Sequence, residues 1–340
     1  MKRRTSGRWM VVCAGLALLG ALRADPVDLA GADLRVEAAG DLAADGYVNT
    51  AGDAATLTLA FNDDVAALPP LSGAIRLVKL GVGTVTFPEA RAYTGGTVVS
   101  NGFLAAAEPA WLGAEEGAIT LAGGGLSFGR TTGEAIKLLR AVTVAAGTTG
   151  TLRNAAGGDQ LDFGNSYVSF KNATLRLARA GDETKTAAFN IVRKDSSSWQ
   201  GNGLATGGTL DVGPGTTLGV WEGDVFGGAN HQTDITLVVR EGASVNAGGN
   251  HTPLTPHVVL EGGSRLLTNG GLRGGGETTA GVENLIRTVS WKNYDFNRTV
   301  TVVLGSLTGA STATVEAANV HLAPFSQEAV IDVEAGAVLD

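Results

Sequence analysis

"KLGVGTVTFPEARAYTGGTVVSNGFLAAA" (79–107) threads Val, Phe, Tyr and Leu at strand-like spacing through Gly81, Gly83, Pro88, Gly95, Gly96 and Gly102, with little charge. Runs this short and this often interrupted suit strands that end at corners. The same writing recurs outward in both directions, in "ATLTLAF" (55–61), "AIRLVKL" (74–80), "ATLRLA" (173–178), "DITLVVR" (234–240) and "RTVTVVLG" (298–305). The best helical candidate, "GEAIKLLRAVTVA" (133–145), ends in β-branched alternation and reads as strand.

A second phrase sets a period. "DVGPGTTL" (211–218), "VVREGASV" (238–245), "VVLEGGSRL" (258–266) and "IDVEAGAVL" (331–339) each run from an apolar pair into a glycine turn. Anchored on Gly215, Gly242, Gly263 and Gly336, the steps are 242 − 215 = 27, 263 − 242 = 21 and 336 − 263 = 73 residues. One coil each accounts for the first two, and about three coils for the third.

A glycine-turned repeat of this length predicts an all-β chain folded as a parallel β-helix, a β-solenoid whose inward side chains stack into one column. The expected domains are residues 1–24, a β segment or cap over 25–72, and solenoid repeats over 73–340 with a polar insertion near 179–203. At 20 to 25 residues per coil, the chain after residue 24 would make about 13 to 15 rungs. A β-sandwich or propeller is the alternative, but tight Asn-Gly or Asp-Gly turns are scattered, at Asp45, Asn101 and Asn269.

Composition and the first residues narrow the setting. Lys2, Arg3, Arg4 and Arg8 precede an apolar run from Trp9 to Leu22 with Ala24 beyond it, the pattern of a secretory signal peptide cleaved near Ala24. The run is shorter than the roughly 20 residues a spanning helix needs, so a membrane-spanning segment is not expected in the mature chain. Cys13 is the one cysteine, so no disulfide or thiolate site would remain after cleavage.

Of 25 basic residues five precede Asp25, leaving 20 against 33 acidic, a net 20 − 33 = −13. That balance argues against nucleic acid as a partner and suits a solvated exported surface. Fifty glycines would permit disorder, yet 44% of residues are hydrophobic and must be buried.

The stretch 78–107 resembles the autotransporter-associated β-strand repeat. Lys79, Gly81, Gly83, Thr84, Thr86, Tyr93, Thr94, Gly95, Gly96, Thr97, Val99, Gly102 and Leu104 occupy that family's positions, while "PEAR" (88–91) and Phe103 depart from it. The resemblance implies a secreted or surface-displayed bacterial passenger folded as a right-handed parallel β-helix, an adhesin or structural rod often without catalytic residues. Nothing after residue 300 reads as the alternating strands of a membrane barrel, so the solenoid is expected to be truncated or unusually capped.

Chemistry-bearing residues are sparse. Asp63 with Asp64, and Glu115 with Glu116, are sequence neighbours whose side chains point to opposite faces of a strand, unsuited to paired acid and base work. The richest constellation is "WEGDVFGGANHQTD" (221–234): Trp221 beside Glu222, Asp224, His231 and Asp234 could serve a carbohydrate-active enzyme, the runner-up reading, with Glu222, Asp224 and His231 as its site. Arg193, Lys194 and Trp199 could contact an acidic glycan by charge and stacking.

His251 and His257 stand apart from any acidic cluster, so neither a metal nor a cofactor is expected. The partners expected are a polysaccharide or another cell surface, with end-to-end self-association through free strand edges. Concentration-dependent oligomers are the expected sedimentation result, and a monomer at every concentration would oppose it.

Overall fold

The computed structural model describes residues 25–164, 167–192, 199, 203–220, 235–248, 257–260, 264–269, 301–304 and 330–333. Their strands pair in parallel, each with its counterpart one coil on, in ladders of ten, seven, six and four strands. Two 3₁₀ turns, Ala39–Asp41 and Pro109–Trp111, are the only helical elements among the described residues. The architecture is an all-β parallel solenoid.

Alternation builds the core. In Ala55–Leu59 the odd positions Ala55, Leu57 and Leu59 are buried while Thr56 and Thr58 face outward. Parallel register then places like on like: Val85, Leu104, Leu126, Leu152, Leu177, Val212 and Val239 succeed one another in the ten-stranded ladder. All seven are buried. Ile136, Leu161, Phe189, Leu218 and Val245 form the matching column of the six-stranded ladder.

The number of strand faces changes along the stack. The four-stranded ladder ends at Ala92–Tyr93, and the six-stranded ladder begins only at Ile136–Leu138. Between them the chain passes through the loop around Pro109–Trp111, which lies outside the ladders. Arg140 of the next coil ties it down: its guanidinium donates to the carbonyls of Pro109, Leu112, Gly113, Ala114 and Gly117. A buried planar fork thus replaces a missing strand edge.

The seven-stranded ladder in turn ends at Val168–Ser169. Trp199 fills the interior of the next coil, fully buried, stacked on Phe163 with centroids 6.3 Å apart and edge-on to Phe170 at 5.1 Å. The expectation that Trp199 offers a ring to a ligand is therefore corrected: the indole is buried in the core against Phe163 and Phe170.

Register also tests the period. Thr217 pairs with Ser244 and Ser244 with Arg265, steps of 27 and 21 residues that match the glycine anchors. Gly215 and Gly242 turn these corners at φ of 66° and 69°. The 73-residue gap is different, because Leu260 pairs with Leu304 and Leu304 with Val333, so 44 and 29 residues cover it in two steps where three were expected. The longest ladder holds ten strands and the coils of Leu34–Val36 and Ala55–Leu59 precede its first, Thr84–Thr86, so the described residues make 10 + 2 = 12 coils where 13 to 15 were expected. Val27 pairs with Tyr47 and Tyr47 with Leu71, so residues 25–72 already stack in register beneath the rest.

One column contains a lysine. Lys79 lies between Leu59 and Val99 in the seven-stranded ladder, fully buried, its ammonium donating to the carbonyl of Gly81. Burial lowers its pKa from 10.5, with Asp64 opposing the shift. An unfolded chain therefore binds the proton more tightly than the folded one, and this site adds stability as pH rises toward 10.5. Denaturant unfolding between pH 7 and 10 should show that rise in the native chain and a flatter profile in Lys79→Met, which should be at least as stable at pH 7.

Candidate interaction face

The outward side of the ten-stranded ladder brings together residues that are coils apart in sequence. One outward column runs Phe103, Gly125, Thr151, Arg176, Asp211, Val238. Beside it run Ala105, Ser127, Arg153 and Ala178. The chain continues past the next two strands at Gly213 and Arg240, whose amides donate to Leu177 and Val212 at 2.9 Å each. Along the other edge Thr149, Thr174, Thr209 and Thr236 are ladder partners, each half-buried.

Phe103 is shaped by its neighbours. A Cβ on Gly125 would meet the Phe103 ring at 2.5 Å, so the glycine is what lets the ring lie along the sheet. Arg153 covers that ring with its guanidinium carbon 3.4 Å from the centroid. Burial pushes the Arg153 pKa below 12.5, which leaves it a cation at physiological pH.

Two further arginines share one carboxylate. Arg176 donates Nε to Asp211 Oδ2 at 2.9 Å, while Arg240 donates Nε to Oδ1 at 2.8 Å and Nη2 to Oδ2 at 3.2 Å. The Asp211 side chain is 2% exposed, whereas those of Arg176 and Arg240 are 48% and 36% exposed. A buried acceptor thus fixes both guanidinium planes, and Arg176, with 48% of its side chain exposed, turns the rest of its fork to solvent. Such a fork is oriented to receive a carboxylate or sulfate.

A second charged cluster is closed. Asp159 accepts from Thr132 N, Thr132 Oγ1 and Gly133 N at 2.8 Å each and from Arg130 Nε at 3.1 Å. Burial pushes its pKa up, but these donors outweigh it and hold the carboxyl at about 2. Arg130 also engages Glu108 and the carbonyls of Glu134 and Ala135. The knot ties turns of neighbouring coils together and offers no proton at neutral pH.

Sequence-nominated residues fall in three places. Arg193, Lys194, Trp221, Glu222, Asp224, His231, Asp234 and His251 lie outside the described residues. Asp64 is a turn residue whose Oδ1 accepts the amide of Thr84 at 2.6 Å, and His257 opens a strand between Thr236 and Thr301. Glu115 and Glu116 flank the loop that Arg140 holds, and their charge counters the effect of burial on that guanidinium. Among the described residues no three His, Cys, Asp or Glu side chains gather to share a metal ion, and no helix is long and apolar enough to cross a membrane.

Over 197 residues the chain is 31% identical to the adhesin BmaC autotransporter of Brucella suis biovar 1 (strain 1330). The matched stretch is 56% of this chain and 5% of that protein's length. No protein-family model matches the chain, and no solved structure matches it. The chain is thus a parallel β-solenoid similar in sequence to a small part of an autotransporter adhesin.

The sequence missed this face because Phe103, Gly125, Arg153, Arg176 and Arg240 lie on five of six successive coils of unequal length. Writing the coils in register would have aligned them. Two measurements check the geometry. Asp211→Ala should lower stability by about 1 to 3 kcal/mol in urea unfolding, since two oriented guanidiniums lose their acceptor. The lowered pKa of Asp159 means its contribution is present above 3.8 and lost as pH falls toward about 2, so amide exchange at Thr132 and Gly133 should accelerate across that window, and Asp159→Asn should remove the dependence.

Proposed function

We propose that this chain belongs to an exported, cell-surface adhesive protein whose solenoid works by contact and not by catalysis. The similarity to an autotransporter adhesin, falling on a parallel solenoid, carries this reading. The basic and apolar pattern of residues 1–24 supports export. The repeat at 78–107 supports a passenger of the autotransporter-associated β-strand type: Lys79 and Gly81, two of its motif positions, are joined by the buried hydrogen bond of the lysine ammonium. Contact with a polysaccharide or another cell fits a solenoid with long lateral faces, and end-to-end self-association would extend its parallel ladders from one copy to the next.

The experiment expresses the full chain in a Gram-negative host and reads its N-terminus and location. The expected result is an exported protein beginning near Asp25 that adheres to cells or glycans and releases neither reducing ends nor unsaturated products from a polysaccharide panel. Retention in the cytoplasm would overturn the surface reading. Product release abolished by Asp224→Ala would instead make the chain a glycan-degrading enzyme.

A further inference from the structure

We propose that the outward face between Phe103 and Arg240 is the adhesive surface, and that it takes an extended acidic polysaccharide whose carboxylate or sulfate groups meet Arg153 and Arg176. The inference rests on the adhesive reading above and names the ligand class for it.

Charge makes the first case. The full chain carries a net −8, yet Arg153 and Arg176 both stand outward on this face, and the one aspartate among its outward positions, Asp211, is buried beneath the Arg176 and Arg240 guanidiniums. The remaining outward neighbours, Thr151, Ser127, Ala178 and Gly213, are small and uncharged, so a chain lying along the ladder meets no side chain larger than the arginines.

Geometry makes the second. Arg153 and Arg176 stand on successive rungs, about 4.8 Å apart along the axis. The guanidiniums are held before any ligand arrives, Arg153 by the Phe103 ring and Arg176 by Asp211. Preorganised forks lose little entropy on meeting a planar or tetrahedral anion. An extended polymer with an anionic group on successive sugars can meet them in turn.

The occupant is a glycan in preference to a nucleic acid. Dense phosphodiesters require clustered cations. A sparser polyanion suits two arginines set among hydroxyls and small residues.

The test uses the full chain recovered after export, on immobilised polygalacturonate, dextran sulfate and neutral dextran, with duplex DNA as competitor. Retention is expected on polygalacturonate or dextran sulfate, the difference between them telling carboxylate from sulfate, with none on dextran. Binding should weaken about tenfold or more between 50 and 200 mM salt. The double variant Arg153→Gln, Arg176→Gln should lose about tenfold in affinity, while Arg76→Gln, on the outward side of the seven-stranded ladder, should bind as the native chain does.

Where the double variant fails to fold by circular dichroism, Ser127→Glu with Thr151→Glu places two anions on the same face without removing an arginine, and should lose binding alike. No retention on either acidic polymer, equal retention on dextran, tighter binding of DNA, or equal loss in Arg76→Gln each overturns the proposal. A chain that is exported and correctly processed yet not retained overturns this inference alone, and a chain that stays in the cytoplasm overturns the surface reading.

Discussion

Parallel pairing of every strand with its successor one coil away is the constraint on which the rest depends. It satisfies the backbone of strands as short as Ala92–Tyr93, which could not persist alone. It also forces like positions into columns, so a single inward position repeated over seven coils becomes a continuous apolar stack from Val85 to Val239. Where the pairing lapses, other groups must take over: Arg140 gathers five carbonyls where one face is interrupted, and Trp199 fills the interior where another ends.

The acidic excess has a structural share. Asp33 accepts the amide of Thr56 at 2.7 Å, Asp64 that of Thr84 at 2.6 Å, and Asp28 that of Thr50 at 3.2 Å, each from one coil to the next. Asn62 does the same for Val82 at 3.2 Å. Corner amides left outside the ladder thus find side-chain acceptors, which is why acidic residues concentrate at turns. Asp28 is held below its usual pKa by the hydroxyl of Thr50 and the amides of Ala30 and Thr50, as an acceptor in such a corner should be.

Much of the fold was legible because it is periodic. The glycine phrases at Gly215 and Gly242 gave the step, and alternation in "ATLTLAF" gave the inward face. The step from Gly263 to Gly336 misled because length alone cannot say whether residues make a further rung or leave the ladder between rungs. The face built on Arg153 and Arg240 was illegible for the related reason that unequal coils hide which residues stand above one another. Phe103 was visible only as a departure from the repeat, and its meaning depends on Gly125 one coil later. Trp199 shows the reverse failure, since a tryptophan in a polar stretch looks exposed until Phe163 and Phe170, on earlier turns of the chain, are seen to enclose it.

The rung itself implies a particular use of chain. Coils of 20 residues, as from Ala55 to Ile75, or 26, as from Val142 to Val168, advance the axis by one strand spacing of about 4.8 Å. That is about 0.2 Å per residue, against about 1.5 Å in an α-helix. Such a molecule puts its sequence into girth before reach: every small advance along the axis exposes a full circumference of side chains. Each added coil therefore widens the choice of chemistry on its flank far more than it lengthens the rod.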